Sequence, residues 1–405
     1  MTLEITKAPV FHPHIPRAVW ALGLSSMLSK IASVINYSIV PLYISNVLGA
    51  STMTVGVLEG FVEALSLFLR MFSGSLSDII HKRRNIIAVG YALSIISRPF
   101  IALSTTVEGV FFARCLDRVG NGFEASPREA LIGDYAPKNI KGACYGLRET
   151  LGRFGSTIGS IITIGLLWFT ANNYSFVFFF GMLPTSLALL VLILFVKDKP
   201  PQELKVKAER LTFTEWKASI RKLPMSFWLI IFMSGNFMLA SFNSSYLVLR
   251  TESTGLPSYM IPIVMVTQNL ATSLCAYPIG FLSDKMDRRI LVGIGFLFVG
   301  AANFFLATAW GPAGVLFGVF LWGLQVGMTQ SLLVTLIADT CHHEARGTAF
   351  GIYYIVNGVC ILSSNVLVGF LWDYISPEVA FMASGFIATV ACLWLPFIHK
   401  PQRKH

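Results

Sequence analysis

Apolar residues along this chain come in long unbroken runs separated by short polar connectors, without the strict alternation of a half-buried strand. The runs begin near Arg17, Met53, Asn85, Gly109, Gly142, Tyr174, Met225, Ser258, Ile290, Pro312, Gly347 and Pro377. Each is roughly 20 to 28 residues long, enough for an α-helix rising ~1.5 Å per residue to cross a hydrocarbon core. The pattern predicts an all-α, polytopic membrane protein with twelve spanning helices. A transmembrane barrel would instead need alternating segments of about ten residues.

Every second connector is basic. One set contains Lys82, Arg83 and Arg84, then Lys138 and Lys141, then the stretch from Lys197 to Lys222, then Lys285, Arg288 and Arg289, and finally Arg346. The other set, around Asn46, Glu108, Asn172, Glu252, Trp310 and Glu378, offers only Arg250. Lys and Arg beside a span resist translocation. The basic set and both termini are therefore expected in the cytoplasm, and the chain in the inner (plasma) membrane.

Composition agrees. With 54% hydrophobic and 13% charged residues among 405, little chain is left outside the bilayer for a soluble catalytic domain or a nucleic-acid module. The formal charge of +10 reads as orientation and calls for no nucleic-acid partner. The first apolar run exceeds a signal-peptide core, so the first helix is expected to stay in the membrane. Cys115, Cys144, Cys275, Cys341, Cys360 and Cys392 show no paired spacing, which argues against a disulfide or metal framework. No cofactor is expected. The expected partners are a small-molecule substrate, a coupling ion and membrane lipids, with the protein a monomer.

The one long connector divides six spans from six. The expected organisation is a cytoplasmic segment 1–16, a bundle 17–196, a cytoplasmic loop 197–224, a second bundle 225–398 and a tail 399–405. Within the loop, Phe213 to Ile220 with Trp216 among lysines suits either an interfacial helix or a solvated linker.

The two halves repeat each other. Gly74-Ser-Leu-Ser-Asp78 followed by Lys82-Arg83-Arg84 returns as Gly280-Phe-Leu-Ser-Asp284 followed by Arg288-Arg289. Asp134 with Lys141-Gly142-Ala-Cys-Tyr-Gly146 returns as Asp339 with Arg346-Gly347-Thr-Ala-Phe-Gly351. Two similar six-helix bundles are expected in tandem.

On these residues the chain resembles the major facilitator superfamily. The Gly-x-Leu-Ser-Asp plus basic cluster, after the second and again after the eighth span, looks like that family's cytoplasmic signature. Arg118-x-x-x-Gly122 is similar to its second motif, and Pro127 to Asp134 resembles a segment from a bacterial branch. His81 and Asp287 depart from the family's usual Gly. The resemblance implies two bundles rocking about a midplane substrate site. A cytoplasmic latch is expected from Gly74, Asp78, Arg83 and Asp134 and from Gly280, Asp284, Arg288 and Asp339. In it, small residues permit close approach, and the basic residues reach the acidic ends of the fourth and tenth spans.

Below this symmetric frame the halves diverge. The first half carries Lys30, then Glu59, Glu63 and Arg70 on one helix face, then Arg114, Asp117, Asn121, Glu124 and Arg128 as a stripe with Arg118 at its edge, then Arg148, Glu149 and Arg153. The second half offers uncharged groups: Asn236, Asn243, Gln268, Asn269, Gln325, Gln330, Tyr353, Tyr354 and Asn357. Ionisable groups inside spans are costly and mark partners or watery cavities.

The expected cavity is thus charged on one wall only. An anionic solute would be bound by Lys30, Arg114, Arg118, Arg128 and Arg153, with Asn121, Asn236, Gln268, Gln325, Tyr353 and Asn357 shaping the site. Glu59, Glu63 and Glu124 are the expected proton-coupling groups. The competing reading makes Glu149 with Arg153 and Asp117 with Arg114 structural pairs. Arg98 is expected to be structural, and His342-His343 an exposed pair and not a metal site.

The function expected is secondary active transport of a small organic solute, not enzymology, as proton-coupled import. Gly155-Ser-Thr-Ile-Gly159 lacks the Pro of the family's antiporter motif, which favours import over proton antiport of a drug or metabolite, siderophore export included. The alternatives from other classes are a receptor that kept the fold and a membrane-embedded transferase.

Overall fold

Each of the twelve apolar runs folds as a helix or as a helix broken once. The computed structural model describes residues 15–80, 82–137, 140–198, 223–340 and 346–395. The first six spans are α1 (Arg17–Leu42, continued by a π-turn at Tyr43–Val47), α2 (Thr52–Ile80), α3 (Arg83–Leu103), α4 (Val107–Tyr135), α5 (Lys141–Phe169) and α6 (Tyr174–Phe180 and Met182–Phe195). The second six are α7 (Met225–Ala240 and Ser245–Glu252), α8 (Ile263–Lys285), α9 (Arg288–Thr308), α10 (Gly311–Thr340), α11 (Arg346–Tyr374) and α12 (Pro377–Cys392). Among the described residues nine spans are long and apolar enough to cross a membrane. The three outside that set are α4, which carries the charged stripe, α8, and α12, which has only 16 residues.

The eighth span starts five residues later than the apolar run, because Pro257 and Pro262 bracket a single 3-10 turn at Ser258–Met260 before α8 begins. The loop 199–222, the segment 1–14, the tail 396–405, Cys341 and His342-His343 lie outside the described residues, as do the side chains of Arg70, Asp78, Asp284, Gln330 and Asp339.

Small residues set the close helix contacts within each half. A Cβ on Gly155 would fall 2.5 Å from the Met27 carbonyl oxygen, and one on Gly159 2.7 Å from that of Ile31, so α5 lies directly on α1. In the second half Gly323 and Gly327 bring α10 against the Gln268 and Thr272 carbonyls of α8 in the same manner.

The halves meet mainly along α2 against α11 and α5 against α8. At the end opposite the basic connectors the α2–α11 seam is tight. A Cβ at Gly56 would collide with the Tyr246 hydroxyl of α7 and lie 2.7 Å from the Asn365 carbonyl oxygen of α11, one at Gly60 2.8 Å from Asn365 Cβ, and one at Gly369 2.7 Å from Met53 Cα. Hydrogen bonds reinforce the seam: the Tyr37 hydroxyl donates to Asn243 Oδ1 at 2.9 Å, Met53 N donates to Asp373 at 2.7 Å, and the Asn46 amide donates to Glu252.

The break in α7 is built around Asn243. Its side chain accepts from Ser245 N and Oγ, at 2.9 and 2.7 Å, while its own N–H donates to Asn365 Oδ1 at 2.9 Å. Arg250, the lone basic residue of the far connectors, is buried and has a structural task. It donates to the last carbonyls of α9, Leu306 O and Ala307 O, both at 2.7 Å, and pairs with Glu378 at 2.8 Å. A cation at a helix C-terminus is favoured on dipole grounds too.

Candidate functional site

At the opposite, basic end the halves stand apart and enclose a cavity of about 670 Å³. Its first wall comes from Lys30 on α1, Ser126, Arg128 and Glu129 on α4, and Arg148, Glu149, Arg153 and Ser156 on α5. Its second wall comes from Asn269 on α8 and Phe350, Gly351 and Tyr354 on α11. All the charges are on the first wall.

Several of those charges are already paired. Arg128 pairs with Glu124 at 3.1 Å, and the Ser29 hydroxyl donates to the same carboxylate at 3.2 Å. Arg148 sits between Glu129 and Glu149, the latter at 2.9 Å, and Arg153 Nε meets Glu149 at 3.1 Å. The Arg148–Glu149 and Arg153–Glu149 contacts lie within one turn of α5, Arg148–Glu129 joins α5 to α4, and all remain partly open to water, where ion pairs are weak.

Deeper in the bundle, Arg114 grips Glu59 with Nε at 3.0 Å and Nη2 at 2.7 Å, and Asp117 lies 3.7 Å away on its other side. Arg114 and Glu59 are each only 1% exposed. Four residues further along both helices stand Glu63 and Arg118, the next potential pair. They are half-buried and make no ion pair with each other among the described residues. Arg118 lies over the Tyr37 ring, 5.9 Å from its centroid, and its Nε has no hydrogen-bond partner among the described residues.

Two six-helix halves with a repeated Gly-to-Asp segment, closed at one end and parted over a one-sidedly charged cavity at the other, agree with the sequence-wide match to the Major Facilitator Superfamily model at residues 22–361 and 236–405. This chain belongs to the major facilitator superfamily. A curated relative, an uncharacterized MFS-type transporter of Methanocaldococcus jannaschii, is 28% identical over 388 residues, covering 94% of each chain. An uncharacterized protein of Mycobacterium tuberculosis is 26% identical over 331 residues, 80% of each. Among solved structures, a POT family transporter in complex with 5-aminolevulinic acid superposes with a TM-score of 0.80 at 14% identity, over 98% of both chains. A D-xylose-proton symporter superposes with a TM-score of 0.74 at 17% identity, over 95% of this chain and 98% of the other. At such identities these structures establish the superfamily fold alone.

Within this superfamily frame the expected site residues divide. Lys30, Arg128 and Arg153 line the cavity. Arg114 does not, since its guanidinium is enclosed by Glu59 and Asp117, and Asn121 is turned inward to donate to Asp117 O and Oδ2. Glu59 and Glu124 are held by arginines, which leaves Glu63 as the one of the three expected coupling carboxylates without an ionic partner among the described residues.

The uncharged wall is also different from the expected one. Gln325 is buried and donates to Thr329 Oγ1 at 2.6 Å, and buried Asn357 accepts from Ser234 at 3.2 Å. Tyr353 packs edge-on to Tyr354, and it is Tyr354 that faces the cavity. Gln268 is half-buried on α8, and its neighbour Asn269 takes the cavity position. Asn236 lines a second, apolar cleft between α7 and α11. Arg98 is buried and donates to the Ala32 carbonyl at 2.8 Å, as expected for a residue away from the cavity.

The sequence reading did not select Ser126, Glu129, Ser156 or Phe350. Their positions relative to Arg128 and Arg153 on the same helix faces were the available signal. At the basic connectors Arg83 contacts Asp134, joining the start of α3 to the end of α4 within one half.

Proposed function

We propose that this chain is a secondary carrier that moves a small organic anion across the membrane by alternating access, driven inward by protons. The observation that carries the reading is the cavity itself. Its four cationic side chains, Lys30, Arg128, Arg148 and Arg153, all lie on the first half, facing an amide and aromatic wall on the second. An anion bridging the two walls would pull the halves together, and that differential contact is what a carrier needs to bias one conformation over another. Lys30, Arg128 and Arg153 are its proposed anchors, Arg118 a contact reached as the solute moves deeper, and Asn269 and Tyr354 the groups that read its uncharged part.

Proton coupling rests on the unjoined Glu63 and Arg118. A half-buried carboxylate favours its neutral form when a neighbouring cation is taken by another anion. On this reading a solute carboxylate or phosphate that occupies Arg118 leaves Glu63 to take up a proton, so solute and proton travel together. With the basic connectors in the cytoplasm, the cavity described here opens inward, and Asp78, Asp284 and Asp339 with the neighbouring basic residues form the latch that closes it.

The test is flux into vesicles containing the purified protein, under an imposed pH gradient, with a panel of mono- and dicarboxylates and sugar phosphates. Uphill accumulation of an intact anion that collapses when the gradient is dissipated is the expected result. Binding without flux would support a receptor instead, and chemical conversion a transferase.

A further inference from the structure

An anion site has no use for carboxylates in its lining, yet Glu129 and Glu149 both line this cavity. Neutralising the neighbouring arginines does not account for them. Each is more exposed than the arginine it meets: the side chains of Glu129 and Glu149 are 35% and 49% exposed, against 18% for Arg148 and 30% for Arg153. An ionised carboxylate offers about four acceptor positions, and one or two contacts with arginine leave the rest open to the cavity.

The lining is sorted by depth. Counted from the basic end of its helix, Phe350 lies four residues in, Glu129 six, Arg148 seven, and Glu149 and Tyr354 eight. At ~1.5 Å per residue all of these are within about 12 Å of the mouth. Arg153 lies twelve residues in, Lys30 thirteen, Ser156 fifteen and Asn269 sixteen, or roughly 18–24 Å. Lys30 and Arg153 share a level by packing as well as by count, since a Cβ on Gly152 would fall 3.8 Å from Lys30 Cγ. Arg128, on the mouth-side part of α4, points inward to Glu124, four residues deeper.

Near the mouth, two carboxylates stand with one arginine and look across to two aromatic rings on the other half. Deeper, among the described residues, Lys30, Arg128 and Arg153 stand with one carboxylate, Glu124, and the Asn269 amide. Carboxylates combined with aromatic faces have the chemistry of an ammonium seat. The inner, cationic zone suits a carboxylate or a phosphate. Phe350 and Tyr354 are four residues apart and so lie on one face of α11, the spacing that lets both rings meet a single cation.

We infer that the solute is an acid that also carries an amino group. Its acidic end goes deep, to Lys30 and Arg153, and its ammonium stays at the mouth, between Glu129 and Glu149 on one side and Phe350 and Tyr354 on the other. The inference rests on the anion reading above and narrows it to amino diacids and aminoalkyl phosphates, whose net charge remains negative. The two zones adjoin, because Arg153 Nε meets Glu149 at 3.1 Å, so a few bonds between the solute's ends are enough. The ammonium is also the end that engages the aromatic wall of the second half, and it thereby contributes to drawing the halves together.

The test is binding to the purified full chain in detergent, by titration calorimetry, with two matched pairs: glutamate against glutarate, and aminoethyl phosphate against ethyl phosphate. The aminated member of each pair is expected to bind about three- to tenfold more tightly, the gain from a partly exposed ion pair with an aromatic contact. In the double variant Glu129→Gln with Glu149→Gln that preference is lost, while glutarate and ethyl phosphate bind more tightly than to the wild type because Arg148 and Arg153 no longer face carboxylates. Equal or weaker binding of the aminated members to the wild type overturns the inference, and so does a preference that survives in the double variant. Should the double variant not fold, the wild-type comparison decides alone, and Tyr354→Leu, expected to weaken only the aminated members, repeats it from the other wall. Glutarate and ethyl phosphate binding without any gain from the amine would sink the inference and leave the anion reading standing; a wild type that binds none of the four overturns both.

Discussion

Glu63 and Arg118 stand one helical turn beyond the Glu59–Arg114 ion pair, on the same two parallel helices, yet do not close on each other. Identical steps of four residues along α2 and α4 bring one pair to 2.7 Å and leave the other unjoined. The difference follows from depth. The inner pair is enclosed, where a bidentate guanidinium–carboxylate contact offsets the loss of water, while the outer pair is half-buried and retains other options.

Removing either member of the inner pair strands a buried charge. Glu59→Gln and Arg114→Gln are each expected to lower unfolding stability by about 3–5 kcal/mol, whereas the double variant loses less than the sum of the two. Thermal unfolding of purified single and double variants measures the coupling directly, and simple additivity would remove the pair from the account.

The cavity arginines are expected to act on the solute, and Arg128, paired with buried Glu124, on stability as well. Arg153→Gln and Arg128→Gln each delete a charge-assisted hydrogen bond of about 1.5–3 kcal/mol, equivalent to roughly a 10- to 100-fold rise in the half-saturating concentration of an anionic solute. The Arg153 variant is the cleaner of the two, because Arg128 also neutralises buried Glu124. Concentration-dependent uptake gives the values, and an unchanged half-saturation for both would take the anion away from this wall.

Glu63→Gln is expected to separate coupling from movement. Accumulation driven by a pH gradient should disappear, while exchange of labelled for unlabelled solute at equal pH continues. A variant that still concentrates solute under the gradient would dismiss Glu63 as the coupling group.

The glycine seam makes a prediction about conformation. In Gly56→Ala the new methyl would fall 1.8 Å from the Tyr246 hydroxyl, so the far end cannot close as it does here. Cysteines introduced at Asn46 and Glu252, which are hydrogen-bonded in this structure, should cross-link readily on the wild-type background and poorly in Gly56→Ala. Equal cross-linking yields would show that the seam accommodates a side chain.

The spans were legible because they obey a single rule: a segment that faces lipid must be long, apolar and helical. Even the eighth, whose start lay five residues from the expected one, was displaced only by a pair of prolines. The site was legible by composition and not by geometry. The charges of Lys30 and of the fourth and fifth spans include the cavity lining, whereas those of the second span do not line it. Helical spacing, however, cannot tell which side of a stripe faces a neighbouring helix. Arg114 and Arg128 differ by fourteen residues, almost four turns, and share a face, yet the first is enclosed by Glu59 of α2 and the second lines the cavity. On the second half, the expected Tyr353 gives way to its neighbour Tyr354, because adjacent helix positions face different directions.

Each ion pair named above lies within a single half; among the described residues, what joins the two at the closed end is close packing at glycines, apolar contact of Leu249 and Leu42 with the opposite core, and a few neutral or singly charged hydrogen bonds. The lobes can therefore part without pulling opposite charges through a low-dielectric gap. The barrier to exposing the far side should accordingly be nearly indifferent to salt and steep in temperature, a signature of dispersion contacts rupturing together.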